Sequence, residues 1–192
     1  MEKNYQRKDA TRMAQKNKLQ YIILGLLAHK DLTGYDIKKL FEGEVGDFWH
    51  SNHSQIYPEL RKMEDKGYIT SYTETVGTKL EKTYYKLAGP GRKILTEWLH
   101  EPLGELVPSR DEFTMKLYLL DNPDDPLAAQ LFREEIARHT VKLAYLQERW
   151  QKLFTQEKNR KQHYGHATIL NLAIDREKQH LDWLTAHQPT AK

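Results

Sequence analysis

The stretch from Ser51 to Lys82 constrains the fold more than any other part of the chain. Ile56, Leu60 and Met63 recur at i, i+4 and i+7, which is one apolar stripe on a helix. The opposite face carries Ser51, Ser54, Gln55, Pro58, Arg61 and Lys62, with Tyr57 at its edge. Gly67 ends the helix, as a residue tolerant of positive φ should. Two strand-like runs come next, 68–75 and 80–87, joined by Val76-Gly-Thr-Lys79, a glycine-containing hairpin signal. A helix with a small, polar, basic outer face before a basic-tipped hairpin is the layout of a winged helix-turn-helix. Small polar side chains let such a helix lie deep in a DNA major groove, where Gln, Ser and Arg can pair with base edges. The same pattern also fits an ordinary amphipathic helix with a solvated basic face.

Charge is distributed in a way that favours the first option. Residues 1–100 hold 17 Lys+Arg against 13 Asp+Glu, and residues 101–192 hold 13 against 14, so the basic excess lies with the helix and hairpin. The 192 residues suggest one large or two small domains. With 39% apolar and 30% charged residues, the composition suits long exposed helices more than a compact sheet. No apolar run approaches the length of a membrane span, and the polar start of the sequence lacks the apolar core of a secretory signal. The absence of cysteine excludes disulfides, zinc–thiolate sites and thiol catalysis. A cytoplasmic location is expected.

Taken in order, residues 1–18 read as a basic N-terminal arm with Lys3, Arg7, Lys8, Arg12 and Lys16. The dense apolar run 19–28 fits either a buried strand or a buried helix. The neighbouring residues favour helix: a short connection, then Thr33 as cap for a helix containing Tyr35, Ile37, Leu40 and Phe41. After the hairpin, Gly89-Pro-Gly91 opens a helix holding Ile94, Leu95, Trp98 and Leu99, with Pro90 at its first position. Residues 101–110, with two prolines and a glycine, read as a linker. The expected division is a winged helix-turn-helix domain over 19–104 and a helical dimerisation and effector-response domain over 105–192, a mainly α chain.

The second domain reads as helical throughout. A short helix covers 111–120, and Pro126 opens a long one after the turn 121–126. There Phe132, Ile136, His139, Leu143, Leu146, Trp150 and Leu153 alternate spacings of four and three, a heptad seam. Residues 158–165 break the pattern. A last helix carries Ala167, Leu170, Ile174, Leu181 and Leu184, interrupted by Glu177. Two helices with one-sided seams ask for a partner, most simply the same pair, 127–156 and 166–187, from a second copy. A seam against the first domain is the alternative.

Enzymatic chemistry finds no support in these residues. No Ser, His and Asp form a recognisable nucleophile motif, and Gly89-Pro-Gly91 lacks the Lys and Ser/Thr of a phosphate loop. Asp47, His50 and His53 are spaced by three, as ligands on one helix face are, but Phe48, Trp49 and the adjacent turn argue against one continuous helix. Neither a metal nor a cofactor is expected.

Over nearly its whole length the chain resembles the PadR transcriptional regulators. The matching residues are Tyr21-Ile-Ile-Leu-Gly-Leu-Leu27, Leu32-Thr-Gly-Tyr-Asp-Ile37, Phe48-Trp49 and His53-Ser-Gln-Ile-Tyr-Pro-Glu-Leu60. They continue with Gly77-Thr-Lys-Leu-Glu-Lys82, Asp111-Glu-Phe113 with Lys116, and Arg176-Glu-Lys178 with Trp183-Leu184. The wing string and Gly165-His166 are similar to the founding branch of the family. The resemblance implies a homodimer that binds an inverted-repeat operator, represses a phenolic acid decarboxylase gene, and leaves DNA when phenolic acids such as p-coumarate or ferulate bind. Other branches sense hydrophobic drugs, and an architectural protein that senses nothing is a further option. The chain departs from the family's Leu-Thr-x-x-Gly helix start, since Leu87 precedes Ala88-Gly-Pro-Gly91; the lost cap costs about 1 kcal/mol. Pro58 inside the recognition helix would cost roughly 3 kcal/mol unless it lies close to the helix start.

Site residues derive from the layout and the resemblance together. Ser54, Gln55 and Tyr57 are expected to face the groove, with His53 and Lys62 near phosphates. Thr78, Lys79 and Lys82 on the wing should touch backbone or the minor groove. A phenolic acid needs apolar walls, a donor or cation for its carboxylate and a polar partner for its phenol. His166 is assigned to the carboxylate or phenol, Lys116 to a counter-charge, and Tyr21, Phe113 and Tyr118 to the walls. The plainer alternative makes these aromatics core and His166 a helix-start residue.

Overall fold

The computed structural model describes residues 18–46, 48–49, 53–76, 80–104, 111–122 and 124–189. The chain divides into two compact units, one up to Gly104 and one from Glu105 on. The first unit is a winged helix-turn-helix, and the regular elements among the described residues of the second are all helices.

Unit one begins with α1 (18–27). The apolar run resolves as a helix because Leu19, Ile23, Leu24 and Leu27 then share a buried face. A two-residue strand, β1 (Leu32–Thr33), leads into α2 (Gly34–Glu42). Thr33 caps α2 in a full capping box: its hydroxyl accepts from the Asp36 N–H at 3.1 Å, and its own N–H donates to Asp36 Oδ2 at 3.1 Å. A 3₁₀ turn, His53–Gln55, feeds α3 (Ile56–Asp65). With Gln55 as the cap residue, Pro58 occupies the first turn of α3, where backbone N–H groups lack intrahelical acceptors. The proline therefore costs little.

Gly67 closes α3 at φ +68. The Tyr68 N–H donates to Met63 O at 2.9 Å and the Gly67 N–H to Glu64 O at 2.8 Å, the paired bonds of a Schellman motif. The chain then runs into β2 (Ile69–Val76) and β3 (Leu80–Leu87), an antiparallel pair in which Tyr72 faces Tyr84 and Glu74 faces Lys82. β1 adds to the other edge of β3, giving the order β1-β3-β2. The α4 helix (Gly89–His100) starts one residue earlier than expected, with Ala88 as cap and Pro90 second. Gly91 is obligatory here: a Cβ would lie 2.1 Å from Tyr68 O. Ile23, Leu24, Ile37, Ile56, Leu60, Met63 and Ile69 form the dry centre of this unit.

Unit two opens with α5 (Glu112–Tyr118), capped by Asp111, whose carboxylate accepts from the Phe113 and Thr114 N–H groups. The long α6 (Pro126–Phe154) is capped by Asp125. A short α7 (Glu157–Gln162) comes after it, and α8 (Tyr164–His187) returns along α6. The α7 helix buries no side chain, which is why no periodicity marks it. Its Arg160 donates to Phe154 O at 2.6 Å and Thr155 O at 2.8 Å, satisfying the carbonyls that end α6.

The heptad seam of α6 is met inside the chain. Leu146 and Phe154 pack on Ala167, Leu170 and Ile174 at one end of the α6–α8 pair. Phe113, Leu131, Phe132 and Leu184 close the other end. The seam residues are therefore no argument for a second copy. One turn apart on α6, Val141 and Tyr145 remain exposed, as do Ile169 and Leu172 on α8.

Candidate nucleic-acid interface

The α3 helix is held from behind by its own stripe. Ile56, Leu60 and Met63 are each 0% exposed, so the helix cannot rotate without opening the core. That fixes which residues face outward: Ser54, Gln55, Tyr57, Pro58, Arg61 and Lys62 are all exposed. The outward set begins at the helix N-terminus, where free backbone N–H groups favour anions. Ser54 and Gln55 supply uncharged donors and acceptors there, and Arg61 stands at i+7 from Ser54, on the same face. Lys62 sits 3.7 Å from Glu59 Oε2.

Tyr57 links α3 to the start of α2. Its ring lies against Gly34, where a Cβ would fall 2.6 Å from Tyr57 Cε1. A groove of about 530 Å³ opens beside this contact, lined by Thr33 to Asp36, Tyr57, Lys82, Thr83 and Tyr85. Asp36 is held below the ordinary carboxylate range, first by the Thr33 hydroxyl, with smaller contributions from the positive charges of Lys82 and Lys30. Burial pushes the Tyr85 phenol up. Lys82 is half-buried, faces Glu74 across the ladder and lies within electrostatic range of Asp36. Part of its charge is thus answered within the protein, which makes it a weaker phosphate contact than an exposed lysine. On the neighbouring strand, Tyr72 stacks on Tyr84 at 5.6 Å and donates its hydroxyl to Asp31 Oδ2 at 3.1 Å, stiffening the base of the hairpin.

The expected DNA residues divide accordingly. Ser54, Gln55, Tyr57 and Lys62 share the exposed surface of α3 and its lead-in turn. Lys82 stands at the wing base. The backbone of His53 starts the 3₁₀ turn, while its side chain, Thr78 and Lys79 lie outside the described residues, as do Asp47 and His50. Arg61, which the sequence places on the outward face, is exposed beside these residues, and Gly34 seats the Tyr57 ring. The i+7 spacing from Ser54 was a signal for Arg61; Gly34 had none, because its neighbour Tyr57 is distant in sequence.

The expected effector residues fall in both units, Tyr21 in the first and the others in the second. Tyr21 stacks on Trp98 at 4.6 Å in unit one, and burial pushes its phenol up. In unit two, Phe113 is buried edge-on against Phe132, while Lys116 is bound to Glu112 at 2.7 Å and Tyr118 is exposed. His166 packs edge-on against Phe154 at 5.0 Å. Phe132 and Phe154 are separated by about 33 Å of α6 at 1.5 Å per residue. The Phe113 group and His166 thus occupy opposite ends of the helical pair. The sequence set them together only through the linker and the helix start, neither of which fixes distance across a 29-residue helix.

Comparison with known proteins accounts for both halves of the chain. Residues 23–97 match the transcriptional regulator PadR-like family, and residues 109–187 match the family described as virulence activator alpha C-term. The chain is 41% identical over 171 residues to the negative transcriptional regulator PadR of Bacillus subtilis, covering 86% of this chain and 93% of that protein. The crystal structure of B. subtilis PadR in complex with operator DNA superposes with a TM-score of 0.77 at 38% identity, over 88% of this chain and 96% of that one. The same protein in complex with p-coumaric acid gives a TM-score of 0.73 at 35% identity, over 88% and 95%. The arrangement of an outward polar recognition helix and a two-stranded wing, on a chain this similar from end to end, places the protein in the PadR family of transcriptional regulators.

Proposed function

We propose that the chain is a homodimeric, DNA-binding transcriptional repressor acting in the cytoplasm on a phenolic acid decarboxylase gene. Phenolic acids such as p-coumarate or ferulate release it from an inverted-repeat operator. The observation that carries this reading is the polar N-terminal turn of α3, exposed above a fully buried stripe, in a chain so similar to a protein crystallised both with operator DNA and with p-coumaric acid. Two α3 helices presented by a dimer would enter successive major grooves about 34 Å apart. Ser54, Gln55 and Tyr57 read base edges; His53, Lys62, Thr78, Lys79 and Lys82 hold the backbone. The effector contacts are His166 at one end of the helical pair and Phe113, Lys116 and Tyr118 at the other, with Tyr21 on α1.

Selection of bound duplexes from a random library tests the DNA half. Enrichment of an inverted repeat with half-sites one helical turn apart is expected. On that repeat, Gln55→Ala should cost about 1–3 kcal/mol of preference over random DNA. Equal loss on selected and random duplexes would refute the role given to Gln55, and failure to enrich any repeat would refute the reading.

A further inference from the structure

Both long seams carry polar residues at a common level, and these meet. Glu135 and His139, one turn apart on α6, face Glu177 and His180, one turn apart on α8. Glu135 is buried to 4% exposure. His139 Nε2 lies 2.9 Å from Glu135 Oε1, and His180 Nε2 lies 3.7 Å from the same oxygen. His139 Nδ1 contacts Glu177 Oε2. Arg138 donates to the second oxygen of Glu135 at 3.0 Å. The two imidazole rings meet edge to face at 4.4 Å.

The protons do not balance across this layer with neutral side chains. A neutral imidazole has one N–H and one lone pair. If the Nδ1–H of His139 goes to Glu177, its Nε2 lone pair faces the Glu135 carboxylate, with the His180 ring alongside. Electron-pair donors converging on one buried point need a cation or an added proton between them.

We propose that this layer is a binding site for a divalent metal ion of the zinc class. Glu135 Oε1, His139 Nε2 and His180 Nε2 are the ligands; they lie within 4.8 Å of one another. Tetrahedral zinc with bonds of about 2.0–2.2 Å holds its ligand atoms about 3.3–3.6 Å apart, so the 2.9 Å pair of Glu135 and His139 opens slightly and His180 draws in, movements within reach of χ rotation of the two half-buried histidines. Three protein ligands leave a fourth position for water. Glu177 takes the far N–H of His139 and so fixes its tautomer, and Arg138 orients Glu135, the outer support that metal-bound histidine and carboxylate commonly have. Binding ties α6 to α8 between their two apolar clusters.

The test uses full-length protein stripped with chelator and titrated with zinc by calorimetry, and with cobalt by visible absorption. One ion per chain is expected, with a cobalt spectrum typical of four-coordinate nitrogen and oxygen ligation. His180→Ala should weaken zinc binding at least tenfold, and Glu177→Gln about 10–100-fold as an outer partner. X-ray absorption of the zinc-loaded wild type should show two imidazoles on the metal, a readout independent of how any variant folds. Absence of a bound ion in the wild type would leave a proton as the bridge and overturn the proposal. So would wild-type affinity in His180→Ala, or an absorption spectrum without two imidazoles.

Discussion

Replacing Gly34 by alanine separates what holds α3 in place from what it presents to DNA. The added Cβ falls 2.6 Å from Tyr57 Cε1 and 3.2 Å from Cζ. Carbon atoms in good contact sit about 3.5 Å apart or more, so the ring must withdraw by about 1 Å. The obstacle is the far end of an exposed side chain, and alanine suits a helix start as well as glycine does, so stability should change by less than about 1 kcal/mol. DNA binding is where the substitution should register. A displacement of about 1 Å at the N-terminal turn of α3 is enough to break a hydrogen bond in the groove, which puts the loss at about 1–3 kcal/mol on a specific site. A double-mutant cycle isolates the cause. Gly34→Ala, Tyr57→Ala and the double variant are compared by fluorescence anisotropy on a selected duplex, with denaturant midpoints alongside. Once Tyr57 is truncated, Gly34→Ala should cost nothing further. Additive losses would show that Gly34 acts otherwise than through Tyr57, and unchanged DNA affinity in Gly34→Ala would show that the Tyr57 ring does not face DNA.

Gly91→Ala is the contrasting case: its Cβ would meet Tyr68 O at 2.1 Å, a backbone wall that cannot rotate away, and a loss of about 3 kcal/mol in urea denaturation is expected. Thr33→Ala removes the α2 cap and should cost about 1 kcal/mol at neutral pH. Because Thr33 holds Asp36 below the usual carboxylate range, the carboxylate-linked part of that stabilisation is present above the unfolded carboxylate range and is lost as pH falls through the depressed value, so the gap between wild type and variant should narrow in acid in denaturant midpoints. Leu146→Ala, at a fully buried position between α6 and α8, should lower stability by about 2–5 kcal/mol. Arg61→Ala should weaken specific and random duplexes alike and lower the salt slope by about one, read from anisotropy at several salt concentrations; an unchanged slope would remove Arg61 from the interface.

The winged unit was legible because each of its devices is local. The stripe of Ile56, Leu60 and Met63, the Gly67 stop, the Thr33 cap and the hairpin pattern each fit within a few residues and point to the same fold. The Gly91 contact and the pairing of Gly34 with Tyr57 were not legible, since a glycine's need appears only when a distant backbone or ring approaches it. The α6 seam was read correctly as a packing surface but assigned to another copy. Sequence shows that a stripe must be covered, not by what, and α8 covers it. His139, a member of one seam, and Glu177, the interruption of the other, stand far apart in the sequence. Across the helical pair they are neighbours. The effector residues fared differently because motif matches carry no distances, and the rigid length of α6 sets His166 and Phe113 apart.

The central claim is that a phenolic acid shifts this protein off its DNA, which requires the acid to bind the free form more tightly than the DNA-bound form. Anisotropy of a labelled, selected duplex, saturated with full-length protein at fixed salt and titrated with p-coumarate, measures that shift directly. Dose-dependent release by p-coumarate, with the duplex still bound at equal concentrations of an unrelated aromatic acid, is the expected result. A duplex that stays bound at every p-coumarate concentration, or is released equally by both acids, would contradict the account.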